Sequence, residues 1–212
     1  VGKTFTISTP ADSDEFTGND IGLQWQWQAN PKATWAFANP AKGQLRLYAH
    51  QLPDNSKNLW DAPNILLQKF PAEEFTATTH LTFYPNANLE NEKTGLIIMG
   101  MAYAYIALES KKDGIYLKYS VNENAEKGNA EKERVIKKLN GNTITLRVSV
   151  DKNEMCKFSY SEDGKNFTQI DETFKALPGK WIGAKVGLFA TQEEKTNDSG
   201  YADFDWFRIS KL

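Results

Sequence analysis

The side chains that most often activate a nucleophile are scarce in this sequence. Its two histidines, His50 and His80, do not lie near a Gly-x-Ser-x-Gly motif, and each suits an ordinary strand position. The zinc-binding spacings His-x-x-x-His and Cys-x-x-Cys are missing, and Cys156 is the single cysteine. These observations argue against a serine hydrolase or a zinc hydrolase, and they exclude an intramolecular disulfide.

Carboxylates are plentiful, with 27 Asp and Glu residues, but they do not form a catalytic pattern. Glycoside hydrolysis needs two carboxyl groups about 5 to 10 Å apart. No Glu-x-Asp-x-Glu run, which would set carboxylates in line on one strand face, is present. A pair that is distant in sequence stays open, yet a self-sufficient hydrolase is the least favoured function.

Two acidic clusters near the chain ends suggest a metal. Asp14 and Glu15 lie in the turn "DSDE", and Asp203 and Asp205 share a strand face in "DFD". If the two ends of the chain pair, these oxygens could hold a structural calcium ion, which prefers six to eight hard oxygen ligands. The alternative is that they are turn caps and solvent-facing acids. No other cofactor is expected.

The stretch "GLQWQWQANP" alternates aromatic and amide side chains. As a strand over residues 23–28, it would place Leu23, Trp25 and Trp27 on one face. The glutamines Gln24, Gln26 and Gln28 would lie on the other face. We therefore predict that the tryptophans belong to the core, while the amides line a sheet surface or face solvent.

Sugar binding needs flat rings together with neutral hydrogen-bonding partners. The candidate contacts are the glutamine row and three aromatic residues: Gln24, Gln26, Gln28, Trp35, Trp60 and Tyr103. A further candidate is the segment "GKWIGAKVGLFA", in which Trp181 introduces an apolar run and Lys185 interrupts it. Lys185 either extends its ammonium group to the surface or marks the edge of an interface or binding mouth.

The elements that must position these residues are strands. Period-two alternation predicts strands throughout, at residues 4–9, 23–28, 44–49, 64–70, 75–84, 95–101, 103–109, 114–120, 143–150, 155–161, 185–191 and 201–209. This pattern predicts an all-β, two-sheet antiparallel sandwich or jelly roll that forms one domain over residues 1–212. The pairs Asp163-Gly164 and Asn140-Gly141 predict tight hairpins. We expect the first and last strands to pair at a sheet edge, and the charged run 122–134 to be a loop or exposed hairpin.

Composition excludes some partners. The formal net charge is −2, which gives no electrostatic reason to expect nucleic acid or an anionic membrane surface. No apolar run approaches the roughly 20 residues that span a bilayer. The chain starts at Val1, so we expect a piece of a longer, processed protein whose targeting segment has been removed.

Phrases along the whole chain resemble one known family. They include "LQWQWQANP" (23–31), "NILLQKFPA" (64–72), "TGLIIMGMAYAYIAL" (94–108), "CKFSYSEDGKNF" (156–167) and "GYADFDWFRI" (200–209). Their order and spacing resemble the C-terminal β-sandwich of glycoside hydrolase family 43 β-xylosidases and α-L-arabinofuranosidases. The resemblance implies a concanavalin A-like sandwich in a secreted or periplasmic parent enzyme that degrades hemicellulose.

The resemblance also implies a division of labour. In that family, three acidic residues of a five-bladed propeller hydrolyse the substrate, so no catalytic residue is expected in this chain. The expected partners are the propeller of the same parent chain and plant cell-wall oligosaccharides. By position, residues 178–185 resemble a loop that helps to shape the active-site mouth, which would give Trp181 and Lys185 a role in the pocket.

Three functions therefore compete. The first is an accessory domain that packs on the propeller and shapes its substrate pocket. The second is an independent carbohydrate-binding module for xylan-type oligosaccharides, and the third is a self-sufficient laminarinase-like hydrolase. Sandwiches of this kind host all three functions, so the fold does not choose among them.

Overall fold

The computed structural model describes residues 11–212, which form β-strands joined by loops and two short 3-10 helices. The helices are η1 (Leu59–Asp61) and η2 (Ala125–Lys127), and neither is long or apolar enough to cross a membrane. The strands are β1 (Gln26–Trp27), β2 (Ala36–Asn39), β3 (Gln44–Tyr48), β4 (His50–Gln51), β5 (Leu66–Lys69), β6 (Phe75–Tyr84), β7 (Lys93–Met99), β8 (Tyr103–Lys111), β9 (Gly114–Asn122), β10 (Lys132–Lys138), β11 (Thr143–Val150), β12 (Met155–Ser161), β13 (Thr168–Lys175), β14 (Lys185–Gln192) and β15 (Tyr201–Ser210).

The strands form two sheets that pack face to face. The first sheet has the order β13-β12-β11-β6-β15-β3-β2, and the second has the order β1-β5-β14-β7-β8-β9-β10. Neighbouring strands along both paths are antiparallel, whereas the short strand β4 pairs with β14 in parallel. The all-β, two-sheet antiparallel sandwich predicted from the alternation is confirmed.

Strand β6 shows how the alternation builds the core between the sheets. Phe75, Leu81 and Phe83 face inward and are buried, whereas Thr82 and Tyr84 lie on the outer face. Inward residues of the second sheet, such as Ile106 and Leu188, belong to the same cluster. Burying one such side chain contributes about 1.5–3 kcal/mol to the free energy of unfolding, so this shared layer dominates stability.

A second apolar cluster covers the outer face of the second sheet. Leu59 and Ile65, from the segment between β4 and β5, pack on Tyr105 and Phe189. Strand β8 is consequently buried on both faces along almost its whole length. The sheet surface that an open carbohydrate groove would use is therefore partly filled by the chain itself.

The predicted strand 23–28 is wrong for most of its length. Only Gln26 and Trp27 pair with β5, and a turn bond from the Trp25 amide to the Gly22 carbonyl precedes them. Leu23 is consequently 93% exposed and does not share the core face. Trp25 is buried in the core and Trp27 packs against it half-buried, as the sequence predicts for both tryptophans.

The last strand is central in its sheet, which contradicts the prediction of an edge position. β15 lies between β6 and β3, and the N-terminal segment contacts it through a bridge between Asp14 and Phe207. The predicted strand 4–9 lies outside the described residues. A β-bulge between Phe204 and Trp206 moves Trp206 to the outer face, which simple alternation does not predict.

The two predicted hairpin turns have different outcomes. Gly164 adopts a positive φ of 71° in the connection between β12 and β13, as the Asp-Gly pair predicts. Asn140-Gly141 instead lies between β10 and β11, which belong to opposite sheets, so the hairpin predicted there is wrong. The charged run 122–134 connects β9 to β10 as an antiparallel hairpin that carries η2. The alternation does not predict strands β2, β4, β10 and β13.

Candidate functional site

A cleft on the outer face of the second sheet gathers four of the residues singled out in the sequence. Gln28, Trp60, Trp181 and Lys185 line a cavity of about 270 Å³. They come from separate parts of the chain: the end of β1, helix η1, the loop before β14, and β14 itself. Backbone at Gly100 and the side chain of Met99 complete one wall.

Trp60 is held in place by the cap of η1. The buried Asn58 side chain accepts a hydrogen bond from the Trp60 amide at 2.8 Å, which is the usual role of Asn at a helix start. The same side chain donates to the carbonyls of Ala125 at 3.0 Å and Asn129 at 2.9 Å. One amide thus ties the cleft wall to the β9–β10 connection.

Trp181 extends from a loop that is anchored at its base. The Met101 amide donates to the Pro178 carbonyl at 3.0 Å, and Lys180 forms an ion pair with Glu126 at 2.7 Å. Gly100 permits this approach, because a Cβ atom there would lie 1.7 Å from the Leu177 carbonyl oxygen. The Trp181 side chain itself is 95% exposed.

Lys185 is the first residue of β14 and is only 7% exposed. It pairs in register with Met99 on one side and Lys69 on the other. Burial lowers the pKa of Lys185, and the neighbouring charge of Lys69 lowers it further. Burial of this kind is unfavourable unless a negative charge compensates it.

The remaining candidate sugar contacts do not join the cleft. Trp35 is buried and packs edge-on against Trp27, with ring centroids 5.2 Å apart. Tyr103 is also buried, and its hydroxyl donates to Glu131. Neither ring has a free face on which a sugar could stack, so burial argues against both contacts, which stay predictions.

The glutamine row is divided in the structure. Gln26 pairs with Leu67, which places it on the outer face of the second sheet, and Gln28 reaches the cleft. Gln24 instead donates to the Asp14 carboxylate at 3.1 Å. The turn before β1 causes this separation, so the three amides do not form one continuous surface.

The four carboxylates considered for calcium each have a protein partner. Asp14 accepts the Trp25 indole N–H, and Asp205 accepts the Gln44 amide at 2.7 Å. The other two carboxylates form bidentate pairs with arginines: Glu15 with Arg208, and Asp203 with Arg46. Residues 11–212 contain no group of three or more His, Cys, Asp or Glu side chains placed to hold a metal. The calcium site stays a prediction.

Sequence reasoning missed a charged network on the outer face of β8–β10. Glu131 accepts hydrogen bonds from the hydroxyls of Tyr103, Tyr105 and Ser120. Burial, together with the Glu131 charge, raises the pKa of both tyrosines, so they remain neutral donors. The alternation on β8 and β9 could have indicated this network, because polar residues recur on the face opposite the core.

Lysines neutralise the other carboxylates of this network. Glu133 lies 2.7 Å from Lys118 and 3.0 Å from Lys93, and both lysines also approach Glu109. Burial acts to raise the pKa of Glu133, but the two lysines outweigh it and lower the pKa to about 2. A carboxylate held ionised in this way is a poor general acid, so the network suits a structural role.

Comparison with known families decides the identity of the fold. Residues 13–210 match the model of the beta xylosidase C-terminal concanavalin A-like domain. The chain belongs to this family. The predicted C-terminal concanavalin A-like domain of glycoside hydrolase family 43 β-xylosidases is therefore confirmed.

Relatives of this concanavalin A-like domain are longer than the chain itself. A beta-xylosidase of Formosa agariphila is 27% identical over 220 residues, which cover 96% of this chain and 36% of the relative. A putative beta-xylosidase of Xylanibacter ruminicola is 26% identical over 172 residues, covering 81% of this chain and 29% of that protein. The chain thus spans about a third of each curated relative.

Solved structures show the same fold. The xylan beta-1,4-xylosidase from Bacillus halodurans superposes with a TM-score of 0.78 and 15% identity, covering 99% of this chain and 41% of that one. At these levels of identity, the likeness supports the concanavalin A-like sandwich and leaves function to be argued from the site.

Proposed function

We propose that this concanavalin A-like domain is a non-catalytic accessory domain of a β-xylosidase- or arabinofuranosidase-type glycoside hydrolase. It packs on the catalytic propeller of the same parent chain, and its loop 178–185 helps to shape the substrate pocket for plant cell-wall oligosaccharides. Support comes from the family match and from the beta-xylosidase names of the curated relatives, which are about three times longer than this chain.

The observation that carries this proposal is the exposure of Trp181 on an anchored loop. A Trp that is 95% exposed loses the burial energy that its ring would otherwise supply. Its neighbour Ile182 and the nearby Leu177 are also exposed, so the loop presents a small apolar patch. Anchors rich in Trp commonly supply most of the binding energy at protein interfaces.

The test compares two exposed aromatic residues in the parent enzyme. Trp181→Ala is expected to raise KM for xylo-oligosaccharides by about tenfold, the effect of losing one well-buried contact of about 1.4 kcal/mol. The matched control is Phe37→Ala, which removes an exposed ring from β2 of the opposite sheet and should leave KM unchanged. If Trp181→Ala and the unaltered enzyme had the same KM, a role for this loop in the substrate pocket would be rejected.

The cleft itself favours a second candidate, the independent carbohydrate-binding module. It combines two indoles with the amide of Gln28, which are the ring and hydrogen-bonding groups that a sugar needs. Calorimetric titration of the chain with xylo- and arabinoxylo-oligosaccharides, with and without calcium, separates the two. Saturable binding that Trp60→Ala abolishes would support this candidate, whereas no heat from a folded sample would favour the docking role.

A further inference from the structure

Lys185 lacks a counter-ion within the described part of the chain. Its side chain is more than nine-tenths buried, yet no carboxylate of residues 11–212 forms an ion pair with it. Other buried lysines of this domain are paired: Lys118, for example, contacts both Glu109 and Glu133. Lys185 is thus a buried cation that faces a cleft and whose charge is uncompensated.

The described lining of the cleft supplies no negative charge to Lys185. Its lining residues include Lys180 and Lys185 but, within the described part of the chain, no Asp or Glu. The charge of Lys180 is taken up by its ion pair with Glu126, while Lys69 lies beside Lys185 on the neighbouring strand. An anion that reached Lys185 would therefore meet attraction without a competing carboxylate among the described lining residues.

We infer that the cleft binds the carboxylate of a single acidic sugar ring, a hexuronic acid, with the Lys185 ammonium as its anionic anchor. The indoles of Trp60 and Trp181 contact the ring, and the Gln28 amide hydrogen-bonds a hydroxyl. The sugar class rests on the proposed function, whereas the need for an anionic group follows from Lys185, which is buried and unpaired within residues 11–212.

The size and lining of the cleft favour a sugar ring over an acidic protein side chain. A volume of about 270 Å³ lies just below the range of roughly 300–1,000 Å³ that is typical of small-molecule pockets. An Asp or Glu tip would satisfy Lys185 but leave the rest of the cleft empty between two indoles. A ring that carries a carboxylate fills the same space and neutralises the charge in one step.

A matched pair of ligands tests this inference on the chain, whose two sheets share a continuous buried core. Methyl β-D-glucuronide and methyl β-D-glucoside differ in whether a carboxylate or a hydroxymethyl group is attached to the ring. In calorimetric titrations, the glucuronide is expected to bind about tenfold more tightly, the effect of one charge-assisted hydrogen bond. Lys185→Met should reduce its affinity to that of the glucoside.

Two further measurements make the result specific. The control Lys157→Met, at an exposed position of β12 on the other sheet, should leave glucuronide affinity unchanged. Binding should also raise the pKa of Lys185, followed by NMR of labelled lysine, because a nearby carboxylate stabilises the charged form. Thermal melting of each variant confirms that it is folded.

Several outcomes would overturn the inference. Equal affinity for the two glycosides, no glucuronide binding by the unaltered chain, or unchanged binding after Lys185→Met each contradicts it. If Lys185→Met weakens association with a separately produced catalytic domain and glucuronide does not bind, the carboxylate comes from that domain and the sugar assignment is wrong. A KM effect of Trp181→Ala without glucuronide binding would uphold the proposed function while rejecting this inference.

Discussion

The indole N–H of Trp25 donates a hydrogen bond to the Asp14 carboxylate at 2.9 Å. The backbone of Asp14 also pairs with Phe207 of β15, at 2.7 Å in both directions. One residue thus joins the turn before β1 to a central strand of the first sheet. This contact holds Trp25 in place directly after the turn that its amide closes onto the Gly22 carbonyl.

Asp14→Ala is therefore expected to destabilise the domain. The substitution leaves the buried Trp25 indole N–H without its acceptor and removes a charged hydrogen bond, which costs about 1.5–3 kcal/mol. Urea unfolding would measure the loss. Asp12→Ala is the matched control at an exposed position two residues earlier, and an equal loss there would show that the Trp25 contact is not responsible.

Asn58→Ala is expected to disturb the cleft as well as stability. The Asn58 side chain caps η1 with one hydrogen bond and ties it to the β9–β10 connection with two more, so its loss should cost about 2–3 kcal/mol. Trp60 fluorescence cannot be isolated among six tryptophans, so the readouts are unfolding in urea and ligand titration. The exposed neighbour Asn55 provides the control variant Asn55→Ala, which should match the unaltered chain in both.

Gly200→Ala is expected to lower the melting temperature by several degrees. A Cβ atom at this position would lie 2.6 Å from both the Glu92 carboxylate and the Tyr84 carbonyl, and such overpacking costs about 1–3 kcal/mol. A Cβ atom added at Gly141 would meet no other atom within 4 Å, so Gly141→Ala is the control. If both variants melted alike, close approach of Glu92 to Gly200 would not be a constraint on the fold.

The pH dependence of stability should report Glu133. Its pKa falls from an ordinary 4.5 to about 2 in the folded state, because Lys118 and Lys93 outweigh the effect of burial. A lowered carboxyl pKa stabilises the fold above the ordinary pKa, and this contribution is lost as the pH falls from about 4.5 towards 2. Glu133→Gln should thus be less stable than the unaltered chain at pH 7 and nearly equal to it at about pH 2.

Glu92 affects the pH dependence of stability in the opposite direction to Glu133. The contribution of Glu133 is therefore measured as the difference in free energy of unfolding between two variants. Burial raises the pKa of Glu92, although its carboxylate accepts the amides of Gly200 and Asn86. A raised carboxyl pKa contributes stability that is lost as the pH rises above the ordinary value. At each pH, the free energy of unfolding of Glu133→Gln is subtracted from that of the unaltered chain, which cancels the contribution of Glu92. Glu73→Gln, at an exposed site, controls for the loss of one negative charge alone. A pH-independent difference would contradict the prediction.

Much of the fold could be predicted from the sequence where one strand face meets the core and the other meets water. The predicted bounds of β6, β11 and β12 are the observed ones, because their alternation is unbroken. Where both faces of a strand are buried or its hydrogen-bond ladder is irregular, the alternation of apolar and polar residues no longer tells which side chains face the core. This is why it does not predict the double burial of β8 or the bulge after Phe204.

The sequence by itself determined the residue types of the site: a Trp in a loop, an amide and a lysine within an apolar run. Only the tertiary structure decided which of them meet, bringing Gln28, Trp60 and Lys185 into one cleft while burying Trp35 and Tyr103. Strand order and the path of the segment between β4 and β5 make that choice. Both depend on packing between residues far apart in the chain, which local periodicity does not encode.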